Sequence, residues 1–150
     1  MMEYTMLIRK ANINDAESIA DHNILLAKES EGLNISKEKA LNGVKGILND
    51  LGKGFYIVAE HDNKIIGELM ITFEWSDWRG KNMWWIQSVY VKKAWRKKGI
   101  FRILVEEIKK LAKENNVDII RLYVHNHNKN AMKVYEKLGM IGNYTVYEFE

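Results

Sequence analysis

Trp84-Trp85-Ile86-Gln87-Ser88-Val89-Tyr90-Val91, followed shortly by Arg96-Lys97-Lys98-Gly99-Ile100-Phe101-Arg102, decides how this chain folds. The first stretch is apolar and rich in β-branched and aromatic residues, the composition of a central strand. The second opens an amphipathic helix, with Ile100, Leu104, Ile108 and Leu111 on one face and Arg102, Glu106, Lys109 and Lys113 on the other. A helix start leaves backbone N–H groups without internal partners and carries partial positive charge, so it suits a phosphate. Four cationic side chains fall within the seven residues at that start, and Gly99 lets the backbone approach a bulky ligand. Strand, basic glycine turn and helix together predict a seat for a pyrophosphate.

Outward from this centre the pattern is regular. Met6 to Lys10 reads as a short strand. Asn12 or Asn14 caps a helix whose apolar positions are Ala16, Ile19, Ala20, Leu26 and Ala27, and Gly32 ends it. Ser36 caps a second helix with Ala40, Leu41, Val44, Ile47, Leu48 and Leu51 as its stripe. Phe55–Glu60 and Ile65–Trp75 flank the turn His61–Lys64 and predict an antiparallel hairpin. Met83 to Val91 is the central strand, reached through the loop Trp78–Asn82. Beyond the amphipathic helix come a strand at Val117–Val124, a helix at Asn128–Lys137 and a final strand at Tyr144–Phe149. The order is β-α-α-β-β-β-α-β-α-β. Strand–helix–strand from Trp84 to Val124 implies a parallel pair with a right-handed crossover. The expected fold is therefore α/β (α+β): a mixed, mostly antiparallel central sheet with helices on both faces, in one domain over residues 1–150.

Composition narrows the function. No apolar run approaches the ~20 residues of a membrane helix, and the first residues lack the basic-then-apolar order of a signal peptide. With no cysteine there is no disulfide framework, thiolate metal site or cysteine nucleophile, and a cytoplasmic location is expected. The net charge of +3 is too small to name a polyanionic partner. Neither a two-helix reading motif nor an aromatic-interleaved basic sheet accompanies the basic run, so nucleic acid and membrane are not expected as partners. His125-Asn126-His127 spaces two imidazoles at a strand end, but without cysteine and with Asp118 the nearest upstream carboxylate it reads as a loop, and no metal is expected.

Two motifs carry a family resemblance over nearly the whole chain. Val89-Tyr90-Val91 leading into Arg96-Lys97-Lys98-Gly99-Ile100-Phe101 is similar to the acetyl-CoA signature of the GCN5-related N-acetyltransferase (GNAT) family, Arg/Gln-x-x-Gly-x-Gly/Ala after a bulged strand. Asn128-Lys129-Asn130-Ala131-Met132-Lys133-Val134-Tyr135-Glu136-Lys137-Leu138-Gly139-Met140 resembles the family's Asn-x-x-Ala-x-x-x-Tyr-x-Lys-x-Gly-Phe, with Met140 for Phe.

The resemblance implies transfer of acetyl from acetyl-CoA to a primary amine of a small molecule or peptide by direct attack, with no metal. It implies that the N–H groups of Lys98, Gly99, Ile100 and Phe101 face the pyrophosphate, that Arg96 and Lys97 add charge, and that Arg102 reaches a nucleotide phosphate. Val89 N–H would polarise the thioester carbonyl, and Val91 would bond the pantetheine arm. Tyr135 would protonate the departing thiolate, its rival reading being a packed ring in the stripe Ala131, Tyr135, Leu138. Asn128 would contact pantetheine or simply cap its helix.

Two positions depart from the family pattern. Phe101 replaces a small residue, so its side chain must turn away from the phosphate. Gln87 stands where many relatives carry a glutamate base and cannot accept a proton, although it can hold water or substrate. An amine with a pKa near ~10 must lose a proton before attack. Glu29, Glu31, Glu74 and Asp77 are the other carboxylates considered, with Glu74 or Glu29 favoured. Trp75 and Trp78, with Trp84 and Trp85, are candidate walls of an acceptor pocket, one of the latter pair being core instead. Losing the base would leave a non-catalytic acyl-CoA-binding domain. The apolar final strand leaves room for a homodimer.

Overall fold

The structure, a computed structural model, describes residues 5–150. Five strands form one sheet in the order β1-β2-β3-β4-β5. They are β1 (Leu7–Lys10), β2 (Gly54–His61), β3 (Lys64–Ser76), β4 (Lys81–Val91) and β5 (Ile120–Arg121). The first three pairings are antiparallel, and β4 with β5 is parallel. Helices α1 (Ala16–Glu31) and α2 (Lys37–Leu48) cover one face, α3 (Ile100–Glu114) covers the other, and α4 (Lys129–Lys137) follows β5. The mixed, mostly antiparallel sheet with helices on both faces is the architecture the sequence predicts.

Local chemistry explains the boundaries. The Asn12 side chain accepts from the N–H of Asn14 while the Asp15 carboxylate accepts from the N–H of Asn12, a reciprocal cap before α1. Ser36 caps α2 by accepting from the N–H of Lys39 at 3.2 Å. That helix ends at Leu48, so Leu51 lies outside the stripe and is exposed. Consecutive residues are buried along the middle of β2 and β3 because both faces of the sheet are covered, and two apolar cores result. Ile57, Leu69, Ile71, Trp84 and Ile86 pack with Ile100, Leu104 and Ile108 of α3. Tyr56, Val58 and Ile65 pack with Ile19 and Ala20 of α1 and Val44 and Ile47 of α2.

Two expectations fail at the C-terminal side of the sheet. β5 is two residues long instead of spanning Val117–Val124. Its start is delayed because the N–H of Val117 is still bonded to the carbonyl of Ala112, at the end of α3. Beyond Arg121 it loses its partner, because β4 turns away. The expected last strand at Tyr144–Phe149 does not form: residues 141–150 are exposed and lie in no strand. A strand needs a neighbouring edge to bond to, and this segment reaches none.

Candidate functional site

The site begins with a fault in β4. Glu68 faces Tyr90 and Met70 faces Gln87, so one extra residue is inserted in β4 opposite Leu69, and Ser88 takes a positive φ of 51°. Such a bulge bends a strand and re-aims its side chains. Its effect is visible on the far side of β4. Trp84 and Trp85 pair with Ile120 and Arg121, but from Ile86 to Val91 that edge has no strand partner among the described residues. Along Gln87–Val91 the backbone groups on that edge are therefore left without a strand partner, the Val91 carbonyl accepting instead from the Arg96 side chain.

The open edge leads directly to the start of α3. Gly99 precedes the helix with φ 80° and ψ 13°, a left-handed conformation that costs other residues ~1–2 kcal/mol. No side chain caps this helix, and its first turn holds no acidic residue. The basic run surrounds it. Arg96 donates through Nε to the carbonyl of Val91 at 2.9 Å and through a terminal nitrogen to Glu29 at 2.7 Å, and it lies 5.4 Å from the Tyr90 ring centre. Lys98 stands over the ring of Trp95.

Helix α4 flanks the other side of this start. Tyr135 is half-buried, edge-on to Phe101 with ring centres 5.9 Å apart. Phe101 thus points at Tyr135 and the α3 core instead of into the helix mouth. Burial raises the pKa of the Tyr135 hydroxyl, keeping it protonated and able to donate at neutral pH. The Asn128 side-chain oxygen accepts from the N–H of Ala131 at 3.1 Å, so it caps α4.

The remaining candidates divide. Thr72, Glu74, Trp85 and Gln87 share the sheet face toward α1 and α2. Gln87 donates to Thr72 Oγ1 at 2.6 Å, and Glu74 accepts from Trp85 Nε1 at 3.1 Å while Arg121 lies 3.5 Å from its other oxygen. Glu29 pairs with Arg96 and so belongs to the basic run. Trp75 and Trp78 are not brought to this patch: they are 64% and 94% exposed, and alternation along β3 puts Trp75 on the face opposite Glu74. Of the other tryptophans, Trp84 is core and Trp85 lines the patch. Among the described residues no group of three or more His, Asp or Glu is placed to hold a metal.

One buried pair escaped the sequence reading. His22 Nδ1 lies 2.6 Å from Glu68 Oε1, both buried, with the second Glu68 oxygen unpartnered within the protein. Burial pushes the Glu68 carboxyl well above the usual range, and burial together with the Lys92 charge lowers His22 to about 4. Nearby, burial pushes the Tyr56 hydroxyl up to about 12. Above about pH 6.5 these opposite shifts leave the folded His22–Glu68 pair with one proton that the unfolded chain has released. Signals in the sequence were slight: one charge inside Ile65-Ile66-Gly67-Glu68-Leu69-Met70-Ile71, and one histidine on the inner face of α1.

The sign of its pH dependence follows. Between about pH 4 and 6.5 the lowered His22 favours folding as pH rises while the raised Glu68 opposes it, and the two offset. Above about 6.5 only the Glu68 contribution remains, and stability falls with pH by at most ~1.4 kcal/mol per unit. Denaturant unfolding at pH 6.5 and 8.5 should therefore show a loss in the parent chain that Glu68→Gln largely removes. Equal losses in both would show that the pair holds no extra proton.

The sequence from residue 23 to 140 matches the family model described as "Acetyltransferase (GNAT) family". The chain belongs to the GNAT acetyltransferase family. Over 97% of both chains it is similar to the crystal structure of a possible acetyltransferase from Clostridium difficile 630, with 44% identity and a TM-score of 0.90. A predicted acetyltransferase with acetyl-CoA from Clostridium acetobutylicum shares the fold at 21% identity and a TM-score of 0.80, over 97% of this chain and 96% of that one. The thialysine N-epsilon-acetyltransferase of Bos taurus is 31% identical over 75 residues, half of this chain and 44% of that protein. The matched region thus spans less than half the length of that curated relative. Among the described residues no helix is long and apolar enough to cross a membrane.

Proposed function

We propose that this chain, as one domain over residues 1–150, transfers acetyl from acetyl-CoA to a primary amine by direct attack. The observation that carries the proposal is the open β4 edge running into the uncapped start of α3. An extended pantetheine arm can bond to such an edge as another strand would. At its end the N–H groups of Lys98 to Phe101 receive the pyrophosphate, with charge from Arg96, Lys97 and Arg102. Pairing Arg96 with Glu29 does not exclude this role, since only part of its donor set is used.

In this reading the amine nitrogen attacks the thioester carbon, the C–S bond breaks, and CoA leaves as thiolate. The N–H of Val89 stabilises the oxyanion, Val91 fixes the pantetheine, and Asn128 holds α4 beside it. Tyr135 supplies the proton to sulfur. Gln87 positions the amine or a water, and Glu74, on the same face, takes the proton that the attacking amine must lose. The acceptor is the ε-amine of a lysine-like small molecule or a peptide amine, and the setting is cytoplasmic. Free CoA release from acetyl-CoA in the presence of thialysine, lysine, polyamines and peptides tests the proposal.

A second reading rests on a specific observation. Gln87 is held by Thr72, Glu74 is engaged through both oxygens by Trp85 and Arg121, and Glu29 is paired with Arg96, so each already has a partner within the chain. A non-catalytic acyl-CoA-binding domain would share every cofactor contact. Tight acetyl-CoA binding with no CoA release across the amine panel favours that alternative.

Tyr135→Phe separates catalysis from packing. Turnover should fall by about 10–100-fold, at the low end for a general acid because a CoA thiolate leaves readily. Acetyl-CoA affinity should stay within about twofold of the parent. An unchanged rate would leave Tyr135 as a packing residue only.

A further inference from the structure

The buried His22–Glu68 pair opens onto a cleft that acetyl transfer leaves unexplained. The cleft, of about 330 Å³, lies between the start of α1, the β2–β3 turn and the end of β4. It shares no residue with the Val89–Val91 edge or with Arg96 to Arg102. Three acids line it, and each already faces a cation. Arg9 meets both oxygens of Asp15 at 2.8 Å and Glu60 at 3.4 Å, and Lys37 pairs with Asp21. The lysines in the wall differ: among the described residues neither Lys64 nor Lys92 has an ion-pair partner. His22 completes the wall, its side chain only 7% exposed. Its Nδ1 is committed to Glu68, so Nε2 is the polar edge left to the cleft, and no described residue bonds it. Burial keeps Glu68 protonated and His22 neutral, so the carboxyl donates to Nδ1 and the ring hydrogen sits on Nε2.

We infer that this cleft binds a small anion, whose carboxylate or phosphate oxygens meet Lys64, Lys92 and the Nε2–H of His22. The three donors come from three separate elements, and none has an acceptor among the described residues. Ser18 and Asn63 add neutral donors beside them. The sign of the ligand follows from the pairing. Arg9 and Lys37 answer the acids, so the charge left without a partner is positive. The start of α1 adds the positive end of its dipole on the same side. Size narrows the class further. Ligand pockets run from ~300 to 1,000 Å³, and this one lies at the low end, which suits a compact anion and not a nucleotide.

The test reads binding without acetyl-CoA, so its failure and that of the proposed activity are separable. The isotope-labelled chain is titrated at neutral pH and constant ionic strength, with inorganic phosphate in one arm and succinate in the other, chloride being the balancing anion. Saturable amide shifts are expected at Ser18, Asn63 and Lys64 in at least one arm, with the His22 ring nitrogens moving in step. The arm that saturates identifies the group bound. Lys64→Ala with Lys92→Ala should weaken that binding at least ~10-fold and leave the circular dichroism spectrum unchanged. Lys39→Ala with Lys45→Ala removes the same charge from the exposed side of α2 and should change it by less than about twofold. No saturation at the cleft in either arm, shifts confined to the α3 start, or equal weakening in the two double variants would each overturn the site.

Discussion

Gly99→Glu is expected to reduce acetyl-CoA affinity by at least ~100-fold, a loss of ~2.7 kcal/mol or more, measured by titration calorimetry. Gly99 sits at φ 80°, directly before the first turn of α3. A glutamate there acts in two ways. Its backbone must hold a left-handed conformation that disfavours side chains. More important, its carboxylate lies beside the uncapped N–H groups and competes with the pyrophosphate for them while repelling its charge. Gly99→Ala separates the two effects. A Cβ at this position meets nothing within 4 Å, so alanine introduces the strain without a clash or charge. Its affinity should fall less than about tenfold. Near-parental affinity in the glutamate variant would remove the phosphate site from this helix.

The largest effect on stability is expected from Gly54→Ala at the start of β2. Gly54 has φ 154°, and a Cβ built there would stand 1.9 Å from the carbonyl oxygen of Ile71 and 3.2 Å from Cα of Thr72. Those are backbone atoms of β3, which cannot yield without moving the strand that holds Gln87 through Thr72. A loss of ~3 kcal/mol or more is expected, beyond the usual range for overpacking. For a chain of this size that corresponds to a fall in Tm of ~10 °C. A Tm within about 2 °C of the parent would mean that β2 and β3 can part locally at no cost.

Particular residues show why some of this was legible and some was not. The β4–α3 unit is local: an apolar run, a glycine and a 3.6-residue stripe each act within a few positions, and Trp84, Ile86, Ile100, Leu104 and Ile108 all reach the core. The cap at Asn128 is equally local. The Glu68–His22 pair joins residues 46 apart, and neither identity specifies its partner. Trp75 and Trp78 look like pocket residues by type, but which face of a hairpin they occupy depends on register and on where β3 ends. The β5 and C-terminal strands were read from composition, whereas a strand exists only where another edge meets it. β4 bends away from the first, and the second finds no edge in its own chain. The place of Gln87 in the sheet was legible; the proton acceptor was not, because Arg121 and Arg96, which face Glu74 and Glu29, are far from them in sequence.

The open edge of β4 is the proposed seat of acetyl-CoA, and a crystal structure of the chain soaked with the cofactor tests that most directly. The expected density runs along Val89–Val91 as an added strand, with the pyrophosphate against the N–H groups of Lys98 to Phe101 and the sulfur within reach of Tyr135. Cofactor bound elsewhere, or an empty β4 edge at saturating acetyl-CoA, would contradict it.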